Sequence, residues 1–399
     1  MEFPRSEYES RVERAMALME EHGLDALMIT GDFTASQNYR YFSGHVPRDF
    51  QANSARPHIF VLTKEGKTAL CVHFFSEGPA RQTWVEDIHV YTQPFGCKDL
   101  LAVLERAGVS SGTVGAELGL DQRMMMPVGD YEAAKEALPN CRFADAGPLI
   151  WKLRMVKSPA EVEAIAEADR INNESLRATF AEASIGMTER EIYDICAKAL
   201  IANGSNLPPF SQMTISSSLR HKGKGMITPF SGPTDEPLGE GDVVFIDSGA
   251  VHRGYWGEFN RMAVMGEPTD DQMHWHELTR RIVRRSIEEV LRPGITCDAA
   301  MRECFAIYED EGVGDARQLS AYREYPFFHI CHGLGLHSSE LPLVRLTDET
   351  VIEPGMVFSV EAYLTSDDMR YGSEEDALVT DNGCRILSQP TDDGLFVIR

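Results

Sequence analysis

Two acidic residues, Asp247 and Glu258, are spaced as though they face each other across a β-hairpin. Asp247 follows the apolar run 243–246, and Glu258 lies on the segment that returns after the turn-like residues 250–254. A symmetric register would place the pair directly across the two strands, with Cβ atoms about 5 Å apart. Because like charges directly opposite one another destabilise a sheet, the pair predicts a compensating cation.

A second pair, Glu361 and Glu375, repeats this arrangement downstream, where it brackets residues 366–368. Between the two predicted hairpins lies an H-G-L-G-L segment that begins at His332 and is followed by His337. Carboxylates with one imidazole suit a pair of first-row divalent ions better than a single structural zinc. Two such ions can generate hydroxide near neutral pH and polarise a carbonyl group.

The motifs around these residues resemble the pita-bread superfamily, which includes methionine aminopeptidase, Xaa-Pro aminopeptidase, prolidase and creatinase. Residues 247–261 resemble the D-x-G…G-Y…D-x-T-R hairpin of that family, and residues 332–336 resemble its H-G-x-G-L segment. Residues 353–361 are similar to E-P-G-M-V-x-x-x-E, and residues 375–376 to the final E-D. Residues 38–44 are similar to a Y-L-T-G-like stretch, so the resemblance covers nearly the whole chain.

The resemblance implies two divalent metal ions (Mn, Co, Fe or Zn) held by four carboxylates and one histidine. The implied ligands are Asp247, Glu258, His332, Glu361 and Glu375, with Asp247 and Glu375 as the bridging residues. Glu361 would also act as the acid/base that orients the attacking water, and His332 and His337 are the other catalytic candidates. The resemblance further implies a homodimer in which the N-terminal domain of one chain helps to close the site of the other.

Positions that contact substrate in the family's peptidases differ in this sequence. Ser339 stands seven residues after the metal histidine, where the peptidases place a second histidine, and His337 is the nearest replacement. An upstream histidine is expected near Phe230, and the closest one is His221. Trp256 adjoins the first hairpin and is a candidate pocket wall. The candidate substrate contacts are therefore His221, Phe230, Trp256 and Ser339.

The metal positions also depart from the family pattern. Glu258 stands where the family usually has Asp, and its extra methylene predicts a shifted second metal position. Asn260 replaces Thr in the same motif, and Ser373 stands where Xaa-Pro peptidases often carry Arg two residues before the last ligand.

The composition limits the classes of partner. The 399 residues include 62 Asp and Glu against 38 Lys and Arg, which gives a formal charge of −24. Such acidity disfavours nucleic acid and anionic membranes as partners. The sequence has no apolar run of membrane-spanning length and no signal-peptide pattern at its start, which predicts a cytoplasmic protein. The eight cysteines are scattered and are expected to be reduced thiols.

The chain alternates helix and strand patterns over residues 1–155 and changes character afterwards. The first part predicts a creatinase-like α/β domain with short strands. Ser158, Pro159 and Glu161 form a capping box that opens a long helix, and Thr188 opens another. Residues 156–399 then predict an α+β pita-bread catalytic domain, in which Gly-punctuated strands carry the acidic pairs.

These observations favour a metal-dependent hydrolase that cleaves an amide C–N bond in a short peptide, as Xaa-Pro peptidases do. Because the family's substrate-contacting histidines are replaced, two alternatives stay open. One is a creatinase-like C–N hydrolase, or an enzyme similar to dimethylsulfoniopropionate lyase, that acts on a small zwitterion. The other is a binding module without catalysis.

Overall fold

The computed structural model describes residues 1–47, 55–92, 94–206, 213–218, 233–314, 324, 329–366, 370–388 and 394–399. The chain forms two compact units, Met1–Arg154 and Met155–Arg399, so the division lies one residue from the predicted boundary. Within the described residues, no helix has the length and apolar character needed to cross a bilayer. All eight cysteines are free thiols.

The first unit is an α/β domain built on a six-stranded sheet with the order β4-β3-β2-β1-β5-β6. Its strands are β1 (Ala26–Gly31), β2 (His58–Thr63), β3 (Thr68–His73), β4 (Ile88–Tyr91), β5 (Gly112–Ala116) and β6 (Cys141–Asp145). Strands β1, β5 and β6 are parallel, whereas β1, β2 and β3 pair in antiparallel fashion. Its helices are α1 (Arg5–His22), α2 (Gln37–Ser43), α3 (Glu77–Ala80), α4 (Cys97–Ala107), α5 (Val128–Ala137) and α6 (Gly147–Met155), the last of which ends at the division.

The five strands predicted for this unit, β1 to β5, are confirmed to within a residue or two, and β1 to β3 are the buried apolar runs that the sequence indicates. Strand β6, whose side chains are half-buried or exposed, was not predicted. The α1 helix also ends where its sequence predicts. Gly23 follows it in the left-handed conformation with φ of 64° and caps the last turn.

The second unit contains two antiparallel-rich sheets with helices packed against them. One sheet has the order β15-β9-β8-β7, and the other has the order β11-β10-β12-β13-β14. The strands are β7 (Met213–Ser217), β8 (Val243–His252), β9 (Tyr255–Met265), β10 (Cys331–Gly333), β11 (Glu340–Val344), β12 (Val357–Thr365), β13 (Arg370–Thr380), β14 (Gly383–Ile386) and β15 (Phe396–Ile398). The helices are α7 (Pro159–Glu182), α8 (Glu189–Ala202), α9 (Asp270–Arg285) and α10 (Cys297–Asp310).

Local capping explains where the long helices begin. Ser158 Oγ accepts a hydrogen bond from the Glu161 backbone N–H, and the Glu161 carboxylate accepts one from the Ser158 N–H, so the predicted capping box of α7 is confirmed. Thr188 and Glu191 form the same box at α8. The predicted helix over residues 271–291 is α9 followed by a π-helical turn at Ser286–Val290.

Candidate metal centre

The first hairpin has a tighter turn than its sequence predicts. Arg253 and Gly254 both have positive φ, at 49° and 82°, and form a two-residue turn between His252 and Tyr255. This turn pairs Asp247 with Asn260 and Gly249 with Glu258. The prediction that Asp247 and Glu258 are directly opposite is therefore wrong.

Asp247 and Glu258 are nevertheless neighbours on one face of the sheet. Side chains alternate faces along a strand, so Glu258, two residues before Asn260, lies diagonally across from Asp247. Their carboxyl groups lie close enough to interact. Burial raises the pKa of Asp247, and burial with the charge of Glu374 raises the pKa of Glu258 well above its ordinary value.

The second hairpin brings a different glutamate to the site than the one predicted. Glu361 pairs with Glu374, whereas Glu375 is opposite Val360. A shift of one residue turns a strand side chain to the other face, so Glu374 and not Glu375 shares the face of Glu361. Glu375 instead binds Arg261, with 3.0 Å between Oε2 and Nη2, and accepts a short hydrogen bond from Ser388. The prediction of Glu375 at the metal centre is contradicted by this geometry.

Strand β10 adds the imidazole. His332 pairs with Ser359 on β12, which puts it diagonally beside Glu361. His332 Nε2 lies 3.7 Å from Glu258 Oε2 and 3.8 Å from Glu374 Oε1. Burial lowers the pKa of His332, which favours the neutral imidazole that binds metal ions.

Glu258, His332 and Glu374 offer donor atoms that all lie within 4.8 Å of one another. Glu258 Oε2 is buried and makes no hydrogen bond among the described residues. A buried carboxylate oxygen without a partner is costly, and a metal ion would satisfy it. The donors present therefore fit a divalent ion of the kind that accepts carboxylate and imidazole ligands.

Polar side chains around the centre orient its carboxylates. Glu374 accepts hydrogen bonds of 2.8 Å from both Ser359 Oγ and Asn260 Nδ2, so the Asn260 departure from the family motif positions a ligand candidate. Burial and the charges of Asp247 and Glu361 raise the pKa of Glu374 well above its ordinary value. Asp376 accepts a 2.9 Å hydrogen bond from the Glu258 backbone N–H and joins the two hairpins.

Glu361 has the properties of an acid/base at neutral pH. Burial raises its pKa to about 7, partly opposed by a hydrogen bond from Tyr363. The Tyr363 hydroxyl also lies 3.4 Å from Asn260 Nδ2. A carboxyl group with a pKa near the working pH can both accept and donate a proton during one turnover.

The other predicted site residues differ in their burial and in their contacts. Trp256 is buried on the same strand face as Glu258, its indole packs against Gly249, and its backbone N–H donates to Gly335 O at 2.8 Å. His337 is 40% exposed, and its Nδ1 lies 3.9 Å from Glu340 Oε2. Ser339 is exposed. His221 and Phe230 lie outside the described residues.

Glu340 anchors the segment that carries His337. Its Oε1 lies 3.2 Å from Lys157 Nζ, and both side chains are 1% exposed. Gly335 admits this pair because a Cβ there would lie 2.4 Å from Glu340 Oε1.

Several residues of the site had no signal in the sequence analysis. Glu374 directly precedes Glu375, and the motif resemblance assigned the metal-ligand position to Glu375 instead. Tyr363 and Arg370 lie on the hairpin beside the carboxylates. Asp169 comes from α7, distant in sequence, and its buried carboxyl group interacts with that of Asp376.

Comparison with known proteins decides the family. Residues 163–386 match the model of metallopeptidase family M24, and residues 11–156 match the creatinase/prolidase N-terminal domain. The chain belongs to metallopeptidase family M24. The predicted pita-bread resemblance and fold class are thereby confirmed, and M24 membership implies a divalent metal cofactor.

The M24 relatives include peptidases and a creatinase. The chain is 28% identical over 276 residues to an Xaa-Pro dipeptidase of Pyrococcus horikoshii, covering 68% of this chain and 73% of that protein. It is 25% identical over 400 residues to a creatinase of a Bacillus species, covering 97% and 92%. The protein is thus a peptidase-like metallohydrolase that cleaves a C–N bond, as predicted, and the expectation of a non-catalytic module is not supported.

Solved structures of M24 proteins share the fold. The prolidase of Pyrococcus horikoshii superposes with a TM-score of 0.75 at 24% identity, covering 95% of this chain and 98% of that one. The X-Pro aminopeptidase of Thermotoga maritima superposes with a TM-score of 0.78 at 22% identity, covering 97% and 99%.

Proposed function

We propose that the protein hydrolyses short peptides of the Xaa-Pro type at a centre of two divalent metal ions. The proposed ligands are Asp247, Glu258, His332, Glu361 and Glu374, with Glu374 replacing the predicted Glu375. The observation that carries the proposal is the buried, unpartnered Glu258 Oε2 beside His332 and Glu374. The similarity to Xaa-Pro dipeptidases supports the substrate class.

A bound pair of divalent ions would supply Lewis acidity, which polarises a carbonyl and lowers the pKa of water. The side chains of the chain perform the remaining tasks. Glu361 would accept a proton from the attacking water and return it to the leaving nitrogen, as a carboxylate beside the reacting atoms can do. Tyr363 donates a hydrogen bond to Glu361 and holds it in place, and Asn260 and Ser359 hold Glu374.

Four donor carboxylates and one imidazole favour a hard ion, and we propose manganese as the native metal. We also propose the homodimer and the cytoplasmic location that the sequence analysis expects. Light scattering on the purified protein tests the dimer, since a mass near 44.5 kDa would contradict it. Fractionation of the source cells tests the location.

A panel of Xaa-Pro dipeptides, assayed with Mn²⁺, Co²⁺, Fe²⁺ or Zn²⁺, tests the activity. We expect turnover that chelation abolishes and that Glu361→Gln lowers by about a thousandfold. An exposed-site variant such as Arg385→Gln serves as the control. The proposal fails if none of the dipeptides is hydrolysed with any of these ions.

The second candidate function is hydrolysis of a small zwitterion. It is favoured by the exposed Ser339 at the position where peptidases carry histidine and by the similarity to creatinase over 97% of the chain. Small amidines and betaines in the same assay decide between the two. Turnover of these compounds without turnover of dipeptides would replace the first proposal.

A further inference from the structure

A cavity of about 410 Å³ lies between helix α9 and strands β13 and β14 of the second unit. Among the described residues, its walls are three arginines and a glutamate of α9, two polar side chains of β13, and Ile386 of β14. Sites for small molecules typically have volumes of about 300–1,000 Å³, so this cavity is large enough to hold one.

The cavity lies on the face of β13 that points away from the metal centre. Ser373 and Glu375 line it, and both alternate along the strand with the ligand candidate Glu374. Ser373, which the sequence analysis compared with an arginine position of Xaa-Pro peptidases, therefore belongs to this cavity and not to the metal centre. A molecule bound here would occupy a site separate from that of the substrate.

The arginines of the cavity come from one side of α9. Arg280, Arg281 and Arg284 follow Glu277 at spacings of three, four and seven residues, which is the spacing of one helix face. Like charges four residues apart on a helix destabilise it, and an anion bound between them would offset this cost. The grouping is unusual in a chain whose formal charge is −24.

The two glutamates that line the cavity already have cationic partners. Glu277 Oε2 lies 3.0 Å from Arg280 Nη1, and Glu375 Oε2 lies 3.0 Å from Arg261 Nη2. The positive charge that these glutamates do not offset comes from the remaining two arginines of the α9 face.

Arg281 and Arg284 have N–H donors available for a ligand. Arg281 Nε lies 2.9 Å from Glu311 Oε2, and neither Nη group of Arg281 has a hydrogen-bond partner in the part of the chain that the structure describes. Arg284 makes neither a hydrogen bond nor an ion pair with any described residue. Two guanidinium groups that line one cavity can bind the oxygens of a single anion in forked geometry.

We propose that this cavity binds a phosphate group, either as the free ion or as part of a small phosphate ester. A phosphate ester carries a charge of about −1.5 to −2 at pH 7 and three strong acceptor oxygens, which match several guanidinium groups better than the single charge of a carboxylate does. The Ser373 hydroxyl supplies a further donor, and Ile386 with the methylene stems of the arginines offers apolar surface to an ester. The site goes beyond the proposed function, because none of its residues is a proposed metal ligand.

Calorimetric titration of inorganic phosphate into the full chain measures the binding. Because phosphate also binds metal ions, the titration is made on Mn²⁺-loaded and on chelated protein, and we expect binding to both. Arg284→Gln should weaken it roughly 10- to 100-fold, the range expected for a charged hydrogen bond. Arg302→Gln removes the same charge from an exposed position on α10 and should leave the affinity unchanged.

Glu277→Gln should have the opposite effect on affinity. It removes a negative charge from the cavity and releases Arg280, so phosphate should bind about threefold more tightly, as expected for the loss of one exposed like charge. Glu277 and Arg284 are both exposed, so neither substitution should disturb folding, which circular dichroism checks.

Titrations with glycerol 3-phosphate and with succinate define the ligand. Tighter binding of glycerol 3-phosphate than of inorganic phosphate would identify an ester as the ligand, and equal or weaker binding would identify the free ion. Four results would overturn the inference: no phosphate binding, binding only to the Mn²⁺-loaded protein, equal affinity in wild-type and Arg284→Gln proteins, or succinate binding as tight as that of phosphate.

Discussion

Glu374 and Glu375 are adjacent carboxylates with opposite surroundings. Glu375 faces Arg261 and Ser388 on one side of β13, where the chain itself supplies the compensating cation. Glu374 faces Asp247, Glu258 and Glu361 on the other side, where burial and the charges of Asp247 and Glu361 raise its pKa well above the ordinary value. The comparison shows that the face of the strand, and not the type of residue, separates a structural ion pair from a carboxylate that requires an external cation.

Replacement of each glutamate by glutamine should give the largest difference in activity between the two faces of β13. Glu374→Gln removes a donor from the metal centre and should lower kcat/KM by about a thousandfold, because several kcal/mol of charge stabilisation are lost. Glu375→Gln should lower it less than about tenfold, since the Arg261 contact orients but does not bind the ions. Steady-state kinetics with saturating Mn²⁺ measures both, and equal losses would contradict the assignment.

The ion pair on the opposite face of β13 can be tested by removing its cation, Arg261. Arg261→Gln leaves Glu375 buried without a counter-charge and should lower the free energy of unfolding by about 3 kcal/mol. Urea denaturation of the metal-free protein measures this loss. The double variant Arg261→Gln, Glu375→Gln should recover part of the stability, because no unpaired charge is left. Additive losses in the double variant would show that the pair is not coupled.

The pH dependence of stability should distinguish the two faces without mutation. Burial raises the pKa of Glu361 to about 7 in the folded, metal-free protein, from an unfolded value near 4.5. Between these values the folded state holds a proton that the unfolded state lacks, so stability falls as pH rises, by up to about 1.4 kcal/mol per pH unit for this group. Asp247, Glu258 and Glu374 shift in the same direction.

Chemical denaturation of chelated protein between pH 5 and pH 8 measures this slope. Glu361→Gln should make this slope shallower, because position 361 then no longer titrates. A metal-free protein whose stability increases over this range would contradict the raised pKa values.

The smallest expected effect is on stability and concerns the Ser388 hydroxyl, which donates a hydrogen bond to Glu375. Ser388 Oγ donates to Glu375 and accepts from the Asp376 N–H at 3.0 Å. Ser388→Ala should lower the free energy of unfolding by about 1 kcal/mol, the typical net value of one hydrogen bond, and leave the metal content unchanged. Ser359→Ala, which removes a donor to Glu374 on the other face, should instead weaken metal binding by about tenfold. Titration with Mn²⁺ compares the two variants.

Local signals predicted the elements of this fold well. The capping residues of α7 and the apolar runs of β1 to β5 determine their own boundaries, because caps and burial act over a few residues. The presence of carboxylates on two hairpins next to His332 also followed from spacing. The register of the first hairpin did not follow from the spacing, because it depends on the conformation of the turn. Arg253 and Gly254 form a tight two-residue turn in place of the longer one that the residues resembled.

The sequence could not choose between consecutive glutamates, since either gives a plausible hairpin and a one-residue shift reverses every side chain. Contacts made by distant elements were also beyond local reasoning. Asp169 on α7 meets Asp376, and Tyr363 covers Gly372, only because packing of the unit brings them together.

Metal content of the two glutamate variants tests the central claim most directly. Wild-type, Glu374→Gln and Glu375→Gln proteins would be saturated with Mn²⁺, dialysed, and analysed for bound metal by mass spectrometry. We predict that Glu375→Gln keeps the wild-type ratio of metal to protein and that Glu374→Gln loses at least one ion. Loss of metal from Glu375→Gln, with full retention by Glu374→Gln, would contradict the account.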